Sequence, residues 1–329
     1  MVRTLGCIRI RLHSRRMDAL DRLLDGPRAR GAFLLRSILE PPWCLRVQDQ
    51  APLTLVSLLR GEAWVRPDLG DAVHLQPGNV ALLRGPDAYT FADDLATPPQ
   101  VVIHPGQRCT TIDGHDLSQA MSLGVRTWGN DLHGSTVMVT GTYERQTEVG
   151  MRLLAVLPPL VVVSEESIDP PVIPLLTREL TEDDPGQHVV LDRLLDLLLV
   201  AVLRAWLAQS PANAPAWYRA RSDPVIGRAL RLLQNHPAHR WTVAVLAAET
   251  HVSRAALARR FTELVGEPPM TFLAGWRMAL AADLLRETDA TLEAVAQQVG
   301  YGSSFALSAA FKRMRGISPQ QHRLALGGG

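Results

Sequence analysis

The stretch Thr242-Val-Ala-Val-Leu-Ala-Ala-Glu-Thr-His-Val-Ser253 has a later counterpart in Thr291-Leu-Glu-Ala-Val-Ala-Gln-Gln-Val-Gly-Tyr-Gly-Ser303. From the two serines onward the match keeps a constant offset of 50 residues: Ser253 with Ser303, Leu257 with Leu307, Phe261 with Phe311, Gly266 with Gly316, and Pro269 with Pro319. Such self-similarity marks one supersecondary unit written twice. In the first copy Val243, Leu246 and Ala247 have the i, i+3, i+4 spacing of a helix with one buried stripe. His251-Val252 makes a turn, and Ser253 is an N-cap whose hydroxyl can accept a free amide of the next helix. Leu257, Phe261 and Leu264 form the stripe of that second helix, which Gly266 stops, with Pro268-Pro269 beyond. The second copy repeats the scheme with Gly300 at the turn, Ser303 as cap, Leu307, Phe311 and Met314 as stripe, and Gly316 and Pro319 as stop. Two helix-turn-helix units are therefore expected, at 242–265 and 291–315.

Between them, Phe272, Leu273, Trp276, Leu280, Leu284 and Leu285 fall at helical spacing within a linker helix over 270–287. At 1.5 Å per residue it is a rod of roughly 27 Å. That length suits two reading helices in successive major grooves, about 34 Å apart on one face of DNA. A helical bundle with no nucleic-acid role is the bland alternative, and it gives no reason for cap, core, stop and proline to recur at one offset.

These residues carry a family resemblance. The run Gly300-Tyr301-x-Ser303-Ser304-Phe305, followed by Phe311-Lys312-Arg313-Met314-Arg315-Gly316-Ile317-Ser318-Pro319, resembles the second helix-turn-helix of the AraC/XylS family of bacterial transcription activators. The resemblance covers about a third of the chain, and it implies a DNA-binding domain over 222–329.

Charge is segregated along the chain. The net charge is +1 over 329 residues, yet residues from Arg221 onward carry +5, residues 1–16 carry +5, and the middle carries −9. A basic module on an acidic body fits a phosphate-binding domain joined to one that does not bind DNA. Apolar residues reach 47% with no run long enough to span a bilayer, so the chain can build cores and no membrane role is expected. Cys7, Cys44 and Cys109 lack zinc-like spacing, and the basic N-terminus lacks the apolar core of a signal peptide, which points to the cytoplasm. Met17-Asp-Ala-Leu-Asp-Arg-Leu-Leu opens an amphipathic helix. Hence the expectation that Met17 is the native start and that 1–16 is upstream sequence or a disordered basic arm.

Residues 30–110 read as short strands: Phe33–Leu39, Leu53–Leu59, Ala63–Arg66, Ala72–Leu75, Val80–Leu83 and Val101–His104, with Val137–Thr140 later. Pro and Gly pairs punctuate them, as in an antiparallel sandwich or barrel. The turn Leu75-Gln-Pro77-Gly78-Asn79-Val80 resembles that of cupin barrels, and 30–150 as a whole resembles the cupin-type effector domain of one branch of the family, giving a sensor domain over 17–160. That resemblance implies a ligand pocket, for which Trp43, Arg46, Trp64 and Tyr89 are candidates; ordinary core is the alternative for the aromatics. Metal-dependent cupin enzymes hold a His-x-His…Glu set, but Arg60-Gly-Glu-Ala-Trp-Val-Arg66 has no such pair and His74 stands alone. His115, Asp131 and His133 read as solvated loop residues; no metal and no cofactor is expected. In His104-Pro-Gly-Gln-Arg108-Cys109, the thiol beside Arg108 is a candidate redox partner for Cys44, with burial as two small apolar residues the alternative.

From Leu153 the pattern turns helical, giving a connector at 161–221. Its stripe from Val189 to Trp206 is wide enough for a homodimer contact or for packing on the barrel. Gln209–Ala216 is a Pro/Ala linker, and Asp223-Pro224 opens the first helix of the last domain.

On the two reading helices, Arg254, Ala255, Ala258 and Arg259 face outward in the first copy, and Ser304, Phe305, Ala306, Ser308 and Ala309 in the second. Arg259 can read guanine in bidentate fashion. The second face nearly lacks base-reading donors, so Ser303, Ser304, Lys312 and Arg313 are assigned to phosphates, and the cap Ser253 is a further DNA-binding candidate. The fold class expected is an α+β multidomain chain, with a cupin-like barrel followed by an all-α double helix-turn-helix domain. The function expected is a sequence-specific transcription regulator under a small-molecule effector or thiol oxidation, with RNA polymerase as a partner if it is an activator, as the family resemblance implies. The rivals are a metal-dependent cupin enzyme with an appended DNA-binding domain, and a nucleoid-type binder without effector.

Overall fold

In a computed structural model the described residues are 33–124, 126–143, 157–169, 171–181, 184–209, 214 and 216–324. The basic N-terminal arm and the helix expected from Met17 lie outside them. The chain divides into two compact units, one within 23–219 and the other built on the residues from 220 onward.

The first unit holds thirteen strands among its described residues: β1 (Phe33–Leu39), β2 (Cys44–Val47), β3 (Leu53–Arg60), β4 (Ala63–Pro67), β5 (Val73–Leu75), β6 (Asn79–Arg84), β7 (Tyr89–Ala92), β8 (Val101–His104), β9 (Arg108–Thr111), β10 (Ser122–Gly124), β11 (Thr127–Gly129), β12 (Thr136–Tyr143) and β13 (Leu160–Ser164). They form a seven-stranded sheet in the order β10-β11-β1-β12-β3-β6-β13 and a six-stranded sheet in the order β5-β4-β7-β2-β8-β9. Pairing is antiparallel except for β1 with β11 and β2 with β8. Leu45, Val47, Phe91 and Val65 from the smaller sheet meet Val56, Leu58, Leu83 and Met138 from the larger one in a shared core. The expected turn at Pro77-Gly78 joins β5 to β6, with Gly78 at φ 84°.

Two long helices follow, α1 (Ile173–Thr181) and α2 (Gln187–Gln209), with a single helical turn at Ala216–Arg219 beyond them. The central strands β3 and β12 of the seven-stranded sheet are buried on both faces, which is why β3 is mostly apolar. On β12, Met138 belongs to the inter-sheet core, while the next-door register turns Tyr143 toward α2, where its hydroxyl donates to the Leu195 carbonyl at 2.9 Å. Gly141 permits that approach: a Cβ there would stand 2.4 Å from Leu195 Cδ1. The helical reading from Leu153 needs correction. Residues 160–164 are β13, paired with β6, so the boundary drawn at 160/161 falls inside a strand. Its centre, Val161-Val162-Val163, is β-branched, and β-branched side chains fit a pleated surface better than a helix.

The second unit is helical: α3 (Pro224–Asn235), α4 (Val243–Glu249), α5 (Arg254–Val265), α6 (Pro269–Glu287), α7 (Leu292–Val299), α8 (Ser304–Arg315) and α9 (Pro319–Leu324). Asp223 caps α3 by accepting the amides of Val225 and Ile226 at 3.0 and 2.9 Å, and it also holds the guanidinium of Arg260 on α5. Burial disfavours the charged carboxyl, but those amides and Arg260 outweigh it and keep Asp223 below the ordinary carboxylate range. The linker helix α6 joins two cores. Phe272 and Trp276 sit with Phe261 of the first helix-turn-helix, while Met278, Ala281, Ala282 and Leu285 sit with Leu307 and Phe311 of the second. Among the described residues no helix is long and apolar enough to cross a membrane.

One turn position is tightly constrained. Gly300 ends α7 in the left-handed region at φ 86°, and a Cβ there would lie 2.7 Å from Ala238 Cα and 2.8 Å from the Pro237 carbonyl. Gly300→Ala should therefore destabilise the C-terminal unit by about 1–3 kcal/mol. Thermal denaturation checks this, and an unchanged melting temperature would contradict it.

Candidate nucleic-acid interface and barrel cavity

Each reading helix is fixed at both ends. Ser253 Oγ accepts the Ala256 amide at 3.2 Å, and Ser303 Oγ accepts the Ala306 amide at the same distance. Gly266 and Gly316 close the helices in left-handed conformations at φ 92° and 76°. Leu257 and Phe261 of α5, and Leu307 and Phe311 of α8, are fully buried, so the opposite face of each helix is turned outward.

On α5 that face carries Arg254, Ala255 and Arg259, all exposed, while Ala258 is half-buried. Neighbouring Arg260 is taken by Asp223; among the described residues Arg254 and Arg259 have no such partner. On α8, Lys312 and Arg313 are exposed, and Ser303, Ser304 and Ser308 are half-buried. Phe305 is 82% exposed, more than any other large apolar side chain among the described residues. Glu293 reaches across to accept the Ser304 amide at 2.8 Å, and that bond holds its carboxyl below the ordinary range. Met314, expected in the buried stripe, is 46% exposed, and Ala310 stands in the core instead.

In the first unit a cavity of about 240 Å³ lies between the two sheets. Its walls include Leu35, Val56, Trp128 and Met138 from the larger sheet and Leu45, Val47, Phe91 and Ile103 from the smaller one. Ser37, Thr140 and Thr142 add hydroxyls. Asp49, Gln107 and Ser118 line it from outside the strands, Ser118 exposed and the other two half-buried. There Gln107 Nε2 donates to Asp49 Oδ2 at 3.0 Å. Gln107 itself sits at φ 59°, a conformation uncommon for a non-glycine residue.

Of the four expected pocket residues, only Tyr89 lines this cavity. Trp43 is a core side chain at 2% exposure. Arg46 faces the other side of β2, in a two-pronged ion pair with Asp68 at 2.6 Å through each nitrogen. Trp64 on β4 packs on His74, ring centroids 4.7 Å apart. The reason is the period of two: Leu45 and Val47 point inward, so Cys44 and Arg46 point outward. Asp49, Gln107, Met138, Thr140 and Thr142 were not singled out from sequence; the alternation along β2 and β12 was the signal available for the strand members.

The same geometry corrects the redox pairing. Cys109 lines the cavity, whereas Cys44 belongs to the outer face with Trp64, Arg66 and Thr90. Cys109 is registered with Ile103, Ile103 with Val47, and Cys44 lies three residues further along. Two strand spacings and three residues of rise separate the Cα atoms by roughly 14 Å, twice the span of a disulfide at about 7 Å. Burial, and then Asp116, push the Cys109 thiol up to about 11. Burial and Asp93 also raise Cys44, against Arg66 and Arg46. Both are free, protonated thiols. His115, Asp131 and His133 do not converge; among the described residues no group of three or more His, Cys, Asp and Glu could hold a metal.

Comparison with known proteins agrees with this architecture. A family described as Cupin matches residues 18–208, and one described as Helix-turn-helix domain matches 246–325. A putative AraC-like transcription regulator of Streptomyces antibioticus is 31% identical over 312 residues, covering 93% of this chain and 98% of that protein. The HTH-type transcriptional regulator AlkR of Acinetobacter baylyi is 27% identical over 313 residues, 93% of this chain and 99% of that one. The DNA-binding domain of AdpA, solved in complex with a target DNA, is 32% identical, covers 32% of this chain and 99% of its own, and has a TM-score of 0.31. The chain belongs to the AraC-type family of DNA-binding transcription regulators, with an N-terminal cupin domain.

Oxidation of the folded chain with diamide should yield no peptide in which Cys44 is bridged to Cys109. Such a bridge, formed without loss of the native circular dichroism, would contradict the strand register.

Proposed function

We propose that this regulator recognises a specific duplex sequence through α5 and α8, and that a small molecule in the barrel cavity controls it. The observation that carries the effector half is the cavity itself, enclosed by two sheets and lined by apolar walls with a few polar groups, as small-molecule sites are. Thiol oxidation is the weaker reading, because the two described cysteines are buried, protonated and out of reach of each other. A homodimer through α2 fits its exposed Val190 and Leu197, seven residues apart on one face. RNA polymerase is the partner if the regulator activates.

On the DNA side the two helices divide the work. Arg254 and Arg259, unpaired and exposed on α5, are suited to guanine edges, and the cap Ser253, beside the exposed Ala255 and half-buried Ala258, to close approach to the backbone. On α8, Lys312, Arg313, Ser303, Ser304 and Ser308 suit phosphate, while Phe305 offers only apolar contact, of the kind a thymine methyl accepts.

Sites selected from a random duplex pool would test this division. Arg259→Ala should relax selection at one base position, at a cost of about 1–3 kcal/mol for the preferred duplex. Lys312→Ala should weaken binding to every duplex alike and lower the salt slope by about one. Equal losses on selected and scrambled duplexes for both variants would refute the division.

A further inference from the structure

Along the linker helix α6 the packing passes from one helix-turn-helix to the other at a single residue. Trp276 stacks on Phe272 in the first core, and Met278 belongs to the second. Arg277 stands between them, half-buried, and its side chain turns back to the loop that joins α3 to α4. There Nε donates to the Pro237 carbonyl at 2.7 Å and Nη2 to the His239 carbonyl at 2.8 Å. The second copy presses on the same loop. At Gly300, the turn after α7, a Cβ would stand 2.7 Å from Ala238 Cα, 2.8 Å from the Pro237 carbonyl oxygen and 2.9 Å from Arg277 Nη2. Loop, linker helix and second turn therefore meet in one junction around the guanidinium.

Beside this junction the two copies stand apart. A cleft of about 830 Å³ is bordered by His236, His239 and Glu249 of the first copy and by Gln298 of the second. Glu249 and Gln298 hold equivalent places in the repeat, one on each side of the space. Across such a cleft the relative placement of the copies depends on α6 and on the junction. A bend of α6 at Arg277 that moves a reading helix by the rise of one base pair, ~3.4 Å, would change its register on DNA. The planar guanidinium is suited to preventing that bend, because its fork fixes two carbonyls in one plane where an ammonium would hold one point.

We infer that Arg277 is a positioning residue that sets the spacing between the two reading helices. Acting through the α3–α4 loop, it makes binding selective for the number of base pairs between the two parts of the site. This rests on α5 and α8 both engaging the duplex.

The test uses the full chain and duplexes built from the selected site, with one base pair inserted or removed between the segments that footprinting assigns to α5 and α8. Each change shifts one segment by ~3.4 Å and turns it by roughly 35°. The unsubstituted chain should lose roughly tenfold or more on either change, as the loss of one base contact would cost. In Arg277→Met, which keeps an unbranched stem without donors, that penalty should shrink to about threefold or less, while the salt slope stays the same because no phosphate contact is removed. Arg277→Lys, able to hold one carbonyl, should fall between the two. Circular dichroism establishes that each variant is folded at the temperature used, and if Arg277→Met does not fold, Arg277→Lys decides by the same criterion. Weaker binding with the tenfold spacing penalty intact in the folded variants would make Arg277 a residue of stability alone and overturn the proposal. A lower salt slope would place Arg277 on phosphate and overturn it too. If the unsubstituted chain tolerates the inserted or removed base pair, joint reading by α5 and α8 falls, and this inference with it.

Discussion

Four hydrogen bonds decide where the two reading helices begin and end: Ser253 to the Ala256 amide, Ser303 to the Ala306 amide, and the amides of Gly266 and Gly316 to the carbonyls of Thr262 and Lys312. Each cap contributes about 0.5–2 kcal/mol, and each glycine takes a left-handed conformation that costs other residues more. Because both helices are twelve residues long between the same kinds of cap and stop, the offset of 50 holds from serine to proline. Before the serines the offset is 49. His251 at φ 58° corresponds to Gly300 at φ 86°, and the Val252 amide bonds to the Ala247 carbonyl as the Tyr301 amide does to that of Ala296. The second copy's extra residue is thus Gly302, placed after the turn has closed and before the cap. The repeat is kept where hydrogen bonds hold it and slips by one residue where none does.

In the first unit a comparable role falls to β12. Met138, Thr140 and Thr142 border the cavity, while Gly141 and Tyr143 on the reverse face seat α2 at Leu195. Alternate residues of one strand therefore touch the candidate ligand space and the helix that leads toward the C-terminal unit. A strand buried on both faces has no slack side, so a change in the wall of the cavity has to be taken up by packing that is close on the other face.

The sequence was most informative where function and local structure share the same residues. Caps, stops and the Leu/Phe stripes of α5 and α8 depend on neighbours within a few positions, and so did the strands at 33–39, 53–60 and 79–84. Met314 misled because a periodic pattern does not announce which of its members packing covers. The pocket residues misled for a different reason. Trp43, Arg46 and Trp64 were chosen by residue type, whereas the inside of a barrel is set by strand parity and by pairings such as Val47 with Ile103 and Ile103 with Cys109, which no local pattern states. The same non-local register separates Cys44 from Cys109. Asp49 and Gln107 reach the cavity only because two distant loops meet, 58 residues apart in the chain.

The central claim is that one chain couples duplex reading to specific recognition, and the most direct measurement is a salt-controlled anisotropy titration of the full chain. The probes are a duplex selected from a random pool and its scrambled counterpart at the same ionic strength. The account predicts a preference of roughly a thousandfold or more for the selected duplex. Equal affinity for both, with and without the cavity's ligand, would mean that α5 and α8 hold the backbone alone, and would contradict it.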